Sequence, residues 1–134
     1  MNYNIILSIV MVLLPYEMER EELRVNELIE TLTPEIVTLT TYKASEAETD
    51  STPNITASGF KITNPKKHRI IAVSRDLKKK YKFGQKIRIV GAGKYSGTYK
   101  VQDVMNKRYK KRIDILVGPN DKQTKLRKIK IYKI

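Results

Sequence analysis

Residues 101–118 read VQDVMNKRYKKRIDILVG, and the alternation at the end of this stretch decides the fold. From Arg112 to Val117 every second residue is aliphatic, which predicts a strand with one apolar side and with Asp114 on the other side. Aspartate is disfavoured in strands. Asp114 is therefore either a solvated residue that neutralises its basic neighbours or a carboxylate kept for function.

The two parts of the chain have opposite net charge. Residues 60–134 contain 24 of the 27 Lys and Arg residues and only four of the 14 acidic ones, so this part carries about +20. Residues 1–59 contain ten acidic and three basic residues, about −7, and the whole chain carries +13. The four acidic residues of the basic part are all aspartates: Asp76, Asp103, Asp114 and Asp121. In a lysine-rich domain such carboxylates are the first candidates for function.

The composition excludes several kinds of site. The chain has no cysteine and one histidine, so disulfides, thiolate metal sites and histidine-based triads are ruled out. No metal or other cofactor is expected. His68 stands among Lys66, Lys67 and Arg69 and is predicted to be a solvated loop residue. Any catalysis must rest on carboxylates, hydroxyls or lysines.

Residues 1–15 are predicted to form a hydrophobic N-terminal segment. The apolar run of about a dozen residues is too short to span a bilayer comfortably, so no transmembrane span is predicted. No Lys or Arg precedes the run and no small-residue cleavage motif follows it before Pro15. Two interpretations stay open: a degenerate signal or anchor, or a segment that docks on a partner.

Residues 16–34 are predicted to form an acidic amphipathic helix. Glutamates follow Pro15, and one apolar stripe repeats at helical spacing until Pro34 ends the helix. The stripe consists of Met18, Val25, Leu28, Ile29 and Leu32. The helix could be a linking element, could lie across the basic part, or could dock on a neighbouring subunit. Residues 1–33 are therefore a candidate site for a protein partner.

Residues 35–134 are predicted to form one small β-domain. Short alternating strands are expected at 35–42, 55–59, 69–73, 86–91, 97–101, 112–117 and 126–134, with one short helix at 75–81. Glycines separate many of these strands, and closure into a barrel would remove exposed edges. The predicted fold class is mainly β: a small barrel of about six or seven strands preceded by an amphipathic helix.

A series of short motifs runs along residues 37–133. They are Thr41-Tyr42, Thr49-Asp50, Thr56-Ala57-Ser58-Gly59, Ile71-Ala72-Val73, Phe83-Gly84, Asp103 and Ile113-Asp114. Their order resembles the 3D domain, which is named for its aspartates. That domain is related to membrane-bound lytic transglycosylase A and to stationary-phase survival muralytic proteins. The most specific element is the spacing of eleven residues between Asp103 and Asp114.

The resemblance implies a double-psi β-barrel that cleaves the glycan strands of peptidoglycan without water, in the cell envelope or periplasm or as part of a phage virion. It implies that Asp114 protonates the glycosidic oxygen and then acts as base, while Asp103 orients Asp114 or holds the sugar. The candidates for substrate contact are Thr41, Tyr42, Thr56 and Ser58, because tyrosine rings stack on sugars and hydroxyls bind their polar groups.

The chain departs from the family pattern in two places. After Asp103 the family usually has a Gly-rich turn, whereas residues 104–110 read VMNKRYK. After Ile71-Ala72-Val73 the family often has an aspartate, and here Asp76 comes two residues after Ser74, where it is predicted to cap the short helix.

Several cations come shortly before Asp114 in the sequence. They include Lys107, Lys110, Lys111 and Arg112. Because nearby cations favour the ionised form of an acid, the acid role requires that they point away.

Two further function classes stay open. The uncut N-terminus, the acidic helix and the missing Gly-rich turn favour a non-catalytic structural or docking module of a phage particle or envelope assembly. The positive charge with its tyrosines would also suit nucleic-acid binding on a barrel face. That class ranks last, because no RNA-binding signature accompanies the charge.

Overall fold

The computed structural model describes residues 3–44, with side chains from residue 15, and residues 54–134. The chain divides into two compact units, residues 1–33 and 34–134. The first unit contains helix α1, Tyr3–Leu32. The second contains β1 (Glu35–Lys43), α2 (Pro65–His68), β2 (Ile70–Val73), β3 (Lys86–Val90), a 3₁₀ turn (Gly93–Tyr95), β4 (Gly97–Val104), β5 (Arg112–Val117) and β6 (Lys125–Lys133). The Thr49-Asp50 motif lies outside the described residues.

Helix α1 covers both segments that the sequence separates at Pro15. Pro15 lies inside the helix, where it removes one main-chain donor but does not end the helix. The helix ends just before Pro34, where the Thr33 N–H donates to the Ile29 carbonyl at 2.9 Å. Within the described part of the chain, no helix has the length and apolar character needed to cross a membrane.

The six strands form a closed barrel in the order β1-β5-β2-β4-β3-β6. The pairs β1–β5 and β2–β4 are parallel, and the other four are antiparallel. The predicted fold class, a mainly β chain with a small barrel behind an N-terminal helix, is confirmed. The stretch predicted as a strand at 55–59 is instead a turn, flanked by one isolated bridge between Ile55 and Lys61.

The strand pairing repeats between two units of three strands. In the first unit, strands β2 and β4 are parallel and β3 is antiparallel to β4. In the set β5, β6 and β1, strands β5 and β1 are parallel and β6 is antiparallel to β1. The units join through the equivalent pairs β2–β5 and β3–β6. If β2, β3 and β4 take the places of β5, β6 and β1, and the reverse, every strand keeps equivalent neighbours in the barrel. In this sense β2 corresponds to β5 and β4 to β1.

The barrel interior is the main hydrophobic core. Strand alternation sends one side of each strand inward, and the turns at the ends of the barrel add Leu77, Tyr81, Ala92 and Tyr95. The inward strand residues are Val37, Leu39, Ile71, Val73, Ile87, Ile89, Tyr99, Val101, Ile113, Ile115, Val117, Ile129 and Ile131. Burial of this aliphatic surface is the main stabilising term for the domain.

A second cluster lies on the outside of the barrel, over β1, β5 and β2. Its buried members are Tyr42, Ile62, Ile70, Ala72, Met105 and Leu116, with Ala44, Phe60 and Tyr109 partly buried against them. The loop that precedes α2 supplies Phe60 and Ile62. His68 fixes this loop, since its Nε2 accepts the N–H groups of Thr63 and Asn64 at 3.2 and 3.1 Å, and its ring meets Phe60 edge-on. The prediction of a solvated histidine is corrected by these contacts.

Candidate active site

The two predicted catalytic aspartates lie on the same outward side of the barrel wall. Asp114 on β5 and Asp103 on β4 both pair in register with Ala72 on β2, which runs between them. Both aspartates are half-buried. Two strand spacings place their backbones roughly 10 Å apart. Two residues of distant strands therefore belong to one row of the barrel surface.

Thr40 extends this row to β1. It pairs in register with Asp114, and its hydroxyl donates to Asp114 Oδ1 at 3.0 Å. Between the two three-strand units, Asp114 corresponds to Ala72 and Thr40 to Asp103, so the row crosses the junction of the units. The sequence reasoning missed Thr40. The available signal was its position two residues before Tyr42, on the same side of one strand.

Tyr42 links β1 to Asp103 on β4. Its hydroxyl donates to Asp103 Oδ2 at 3.2 Å, although β1 and β4 are three positions apart in the barrel. The tyrosine therefore reaches across β5 and β2, and only 6% of it is exposed. Burial raises the pKa of Tyr42 far above its usual value, and the charge and hydrogen bond of Asp103 and the charge of Asp114 raise it further. The hydroxyl consequently keeps its proton and remains a donor to Asp103.

Asp103 accepts two more hydrogen bonds, both from main-chain N–H groups. The Ala57 N–H donates to Oδ1 at 3.0 Å, and the Val104 N–H donates to the same oxygen at 2.9 Å. With Tyr42 on Oδ2, both oxygens of Asp103 have donors. Asp103 is thus held in position by three groups from β1, β4 and the turn before α2.

The turn at 56–59 is the element that carries Ala57 to Asp103. The Gly59 N–H closes it onto the Thr56 carbonyl at 2.9 Å, and Gly59 has a φ of 85°, which favours glycine. Ser58 fixes the turn to β4 through two bonds to Gln102, with its N–H on the carbonyl at 3.1 Å and its hydroxyl on the side-chain oxygen at 2.7 Å. Ser58 is exposed beside Asp103, whereas Thr56 is buried and supports the turn.

Thr41 does not belong to this site. Strand alternation turns it to the opposite side of β1 from Thr40 and Tyr42, and only 6% of it is exposed. Its hydroxyl accepts the Thr124 N–H at 3.0 Å and so anchors the connection before β6. Of the four residues predicted for substrate contact, Tyr42 hydrogen-bonds Asp103, Thr56 and Ser58 belong to the turn whose Ala57 N–H binds Asp103, and Thr41 faces inward.

Three of the cations that follow Asp103 in sequence have partners of their own. Arg112, two residues before Asp114, lies on the same side of β5 as Asp114, so not all of the cations point away from Asp114. The Lys111 ammonium pairs with the Glu35 carboxylate at the start of β1. The Arg112 guanidinium lies 4.5 Å from the centre of the Tyr109 ring, and that of Arg108 lies 4.7 Å from it. Tyr109 therefore holds two guanidinium groups at the edge of the outer cluster.

The remaining two aspartates of the basic part have structural roles. Asp76 does not cap a helix, because residues 75–80 form consecutive turns; its Oδ2 accepts the Lys111 N–H at 3.0 Å. Burial acts to raise the pKa of Asp76. The hydrogen bonds from the Ser74 hydroxyl and the Lys111 N–H, together with the charge of Lys110, outweigh burial and lower this pKa. Asp121 accepts the Gly118 N–H at 2.8 Å, the turn role that the sequence indicates.

No group of three or more His, Cys, Asp or Glu side chains that could hold a metal ion occurs among the residues the structure describes. No family model, no curated protein and no solved structure matches the chain. The site therefore has to be interpreted from its own residues.

Proposed function

We propose that this chain is a peptidoglycan-cleaving protein of the lytic transglycosylase type, with Asp114 as its acid and base. The observation that supports the proposal is the register that puts Asp103, Ala72 and Asp114 in one row on the outside of the barrel, with Tyr42 reaching over it. The matching place of action is the cell envelope, the periplasm or a phage particle.

The chemistry needs only one proton-transferring group. The carboxyl of Asp114 gives its proton to the glycosidic oxygen as the bond from that oxygen to the anomeric carbon breaks. The carboxylate then takes the proton of the C6 hydroxyl, whose oxygen bonds to the same carbon and closes a 1,6-anhydro ring. No water is consumed. Because the nucleophile is a hydroxyl of the substrate, the second carboxylate that glycoside hydrolases need is not required.

The neighbours of Asp114 would position it and the glycan. The Thr40 hydroxyl, 3.0 Å from Asp114 Oδ1, fixes the carboxyl by a hydrogen bond. Asp103 is held by Tyr42 and by the 56–59 turn, so it acts as a fixed acceptor for sugar hydroxyls. Ser58, exposed beside Asp103, can bind the polar groups of the same sugar.

A non-catalytic docking module is the second candidate. The observation that favours it is the apolar surface of α1, where Met18, Leu28 and Leu32 are 56% to 67% exposed. Exposed aliphatic groups of this kind mark interaction surfaces. Such a module would use residues 1–33 for a protein partner and would retain the barrel without its chemistry.

The test is the product formed from purified peptidoglycan. The wild-type chain is expected to release 1,6-anhydro-muropeptides, and Asp114→Asn to release none while its melting temperature stays close to that of the wild type. Asp121→Asn, a change of the same kind in a surface turn, should keep full release. Equal release by Asp114→Asn would remove the catalytic role, and no release by the wild type would favour the docking module.

A further inference from the structure

The outer side of the barrel over β3 and β6 differs from the rest of its surface in charge. Its outward residues lie in neighbouring register positions of β1, β6, β3 and β4. We call it the cationic face, and it consists of Ile36, Lys86, Arg88, Val90, Lys100, Lys130, Tyr132 and Ile134. The face contains four cationic side chains and no acidic side chain. None of the four forms an ion pair with a described residue.

The arrangement of these cations is unfavourable for the barrel itself. Lys86 and Lys100 are direct partners in the β3–β4 register, and like charges placed opposite each other destabilise a sheet. Arg88 lies two residues beyond Lys86 on the same side of β3. A surface that brings charges together against its own stability fits an anionic partner.

Three exposed aliphatic side chains lie among the cations. Ile36, Val90 and Ile134 are 48%, 41% and 51% exposed. Ile36 and Val90 are the register partners of Lys130 on either side, so apolar and charged groups alternate across one row. A phosphate polymer gains little from aliphatic groups, whereas an amphipathic helix buries its apolar side against them. The mixed character therefore favours an acidic amphipathic helix as the occupant.

The chain itself carries a helix of this kind. On α1 the stripe Met18, Val25, Leu28, Ile29 and Leu32 is 49% to 67% exposed. Glu21 and Glu22 are three and four positions from Met18 and from Val25, so helical spacing puts both glutamates on the stripe. The stripe thus presents aliphatic groups together with two carboxylates, the complement of the cationic face.

The cationic face is long enough for part of the stripe, whose 15 residues from Met18 to Leu32 extend about 21 Å. Three rows of residues along a strand span about 14 Å, which is the length of about nine helical residues. Four adjacent strands are about 14 Å wide, slightly more than the diameter of about 10–12 Å of a helix with its side chains. We propose that the cationic face binds the α1 stripe of a second copy of the chain, each barrel of a two-fold dimer taking the helix of the other.

Charge reversal on the full-length chain tests the proposal. Sedimentation velocity of the wild type is expected to show a dimer that weakens as the salt concentration rises. Arg88→Glu with Lys130→Glu should weaken dimerisation at least about tenfold, since like charges would then face each other. Lys107→Glu with Lys122→Glu changes the net charge equally at exposed positions off the face and should leave the dimer unchanged.

Mixing two variants identifies the second copy as the source of the helix. Glu21→Lys with Glu22→Lys should also abolish the dimer, because its helix then repels the wild-type face. Mixed with the Arg88→Glu, Lys130→Glu chain, it should form a heterodimer, since both crossed contacts again join opposite charges. Each variant by itself should remain monomeric.

Three results would overturn the proposal. The first is a wild-type chain that is monomeric at low salt. The second is a dimer that survives Arg88→Glu with Lys130→Glu, which would mean that helices pair with each other. The third is a monomer that binds a single-stranded oligonucleotide in a salt-dependent way through Arg88 and Lys130, which would make the face a nucleic-acid site.

Discussion

The two outer sides of this barrel are built by the same alternation but differ in what lies on them. Over β1, β5 and β2, the outward residues include Tyr42 and Leu116 and are covered by a loop and a second hydrophobic cluster. Over β3 and β6, the outward residues are cations, exposed aliphatics and Tyr132, and the described residues of the barrel form no second hydrophobic cluster there. The carboxylates of the first side have hydrogen-bond donors, whereas the cations of the cationic face have no anionic partner among the described residues. Alternation alone determines which residues face outward, and the loops determine which outward residues are held in place.

A matched pair of tyrosine substitutions should give the largest difference between the two sides. Tyr42→Phe removes a donor from half-buried Asp103 and is expected to lower the free energy of unfolding by about 1–2 kcal/mol. Tyr132→Phe on the cationic face should change it by no more than about 0.5 kcal/mol. Urea denaturation measures both. Equal losses would show that the hydrogen bond of Tyr42 adds nothing to the first side.

Glu35, at the start of β1, differs from the cationic face because its charge is paired with Lys80 and Lys111. This pairing makes a part of the stability depend on pH. Its hydrogen bond from Lys111 is the main cause that lowers the pKa of Glu35, with Lys80 adding to it and burial opposing it. A pKa lowered on folding stabilises the protein above the ordinary value of 4.5, and this stability is lost as the pH falls through the folded-state value. Glu35→Gln should therefore cost about 1 kcal/mol at neutral pH.

The difference between the wild type and Glu35→Gln should vanish once the pH has fallen below the lowered folded-state pKa of Glu35, where both side chains are neutral. Urea denaturation at a series of pH values follows it. A constant difference from neutral to acidic pH would mean that packing, and not the charge of Glu35, causes the loss.

The smallest expected effect is a stabilisation on the cationic face. Lys86→Gln removes the like-charge pair with Lys100 and should raise the free energy of unfolding by about 0.3 kcal/mol in dilute protein at low salt. The gain should disappear near about 1 M salt, where charges are screened within about 3 Å. Lys107→Gln, at an exposed position without such a partner, is the control. A destabilised Lys86→Gln chain would mean that Lys86 has a favourable role in the fold.

Several elements of the fold follow from the sequence because their patterns are local. In β3, residues 86–90 alternate between exposed cations and buried aliphatics, as their sequence KIRIV predicts. The sequence predicts a strand at 55–59, but Ser58 and Gly59 form a turn that Ser58 joins to Gln102 on β4. Residues 75–80 form turns and not the predicted helix, since the N–H groups of Leu77, Lys78 and Lys80 each donate to the carbonyl three residues earlier.

The candidate site was predictable only in part. Asp103 and Asp114 stand out because acidic residues are rare in residues 60–134. That Tyr42 hydrogen-bonds Asp103, that Thr40 hydrogen-bonds Asp114 and that Thr41 faces inward all depend on strand order and register. A shift of one residue in register would reverse every one of these directions.

The sequence by itself determined that strands such as β3 and β5 have an apolar inner side, because hydrophobic periodicity is a local property. It also determined the opposite charges of the two parts of the chain. Only the tertiary structure decided that β2 runs between the strands of Asp103 and Asp114, and that the cations of the cationic face gather on the opposite wall. The reason is that barrel closure pairs strands far apart in sequence, and the order of that pairing is fixed by the joint packing of all six strands.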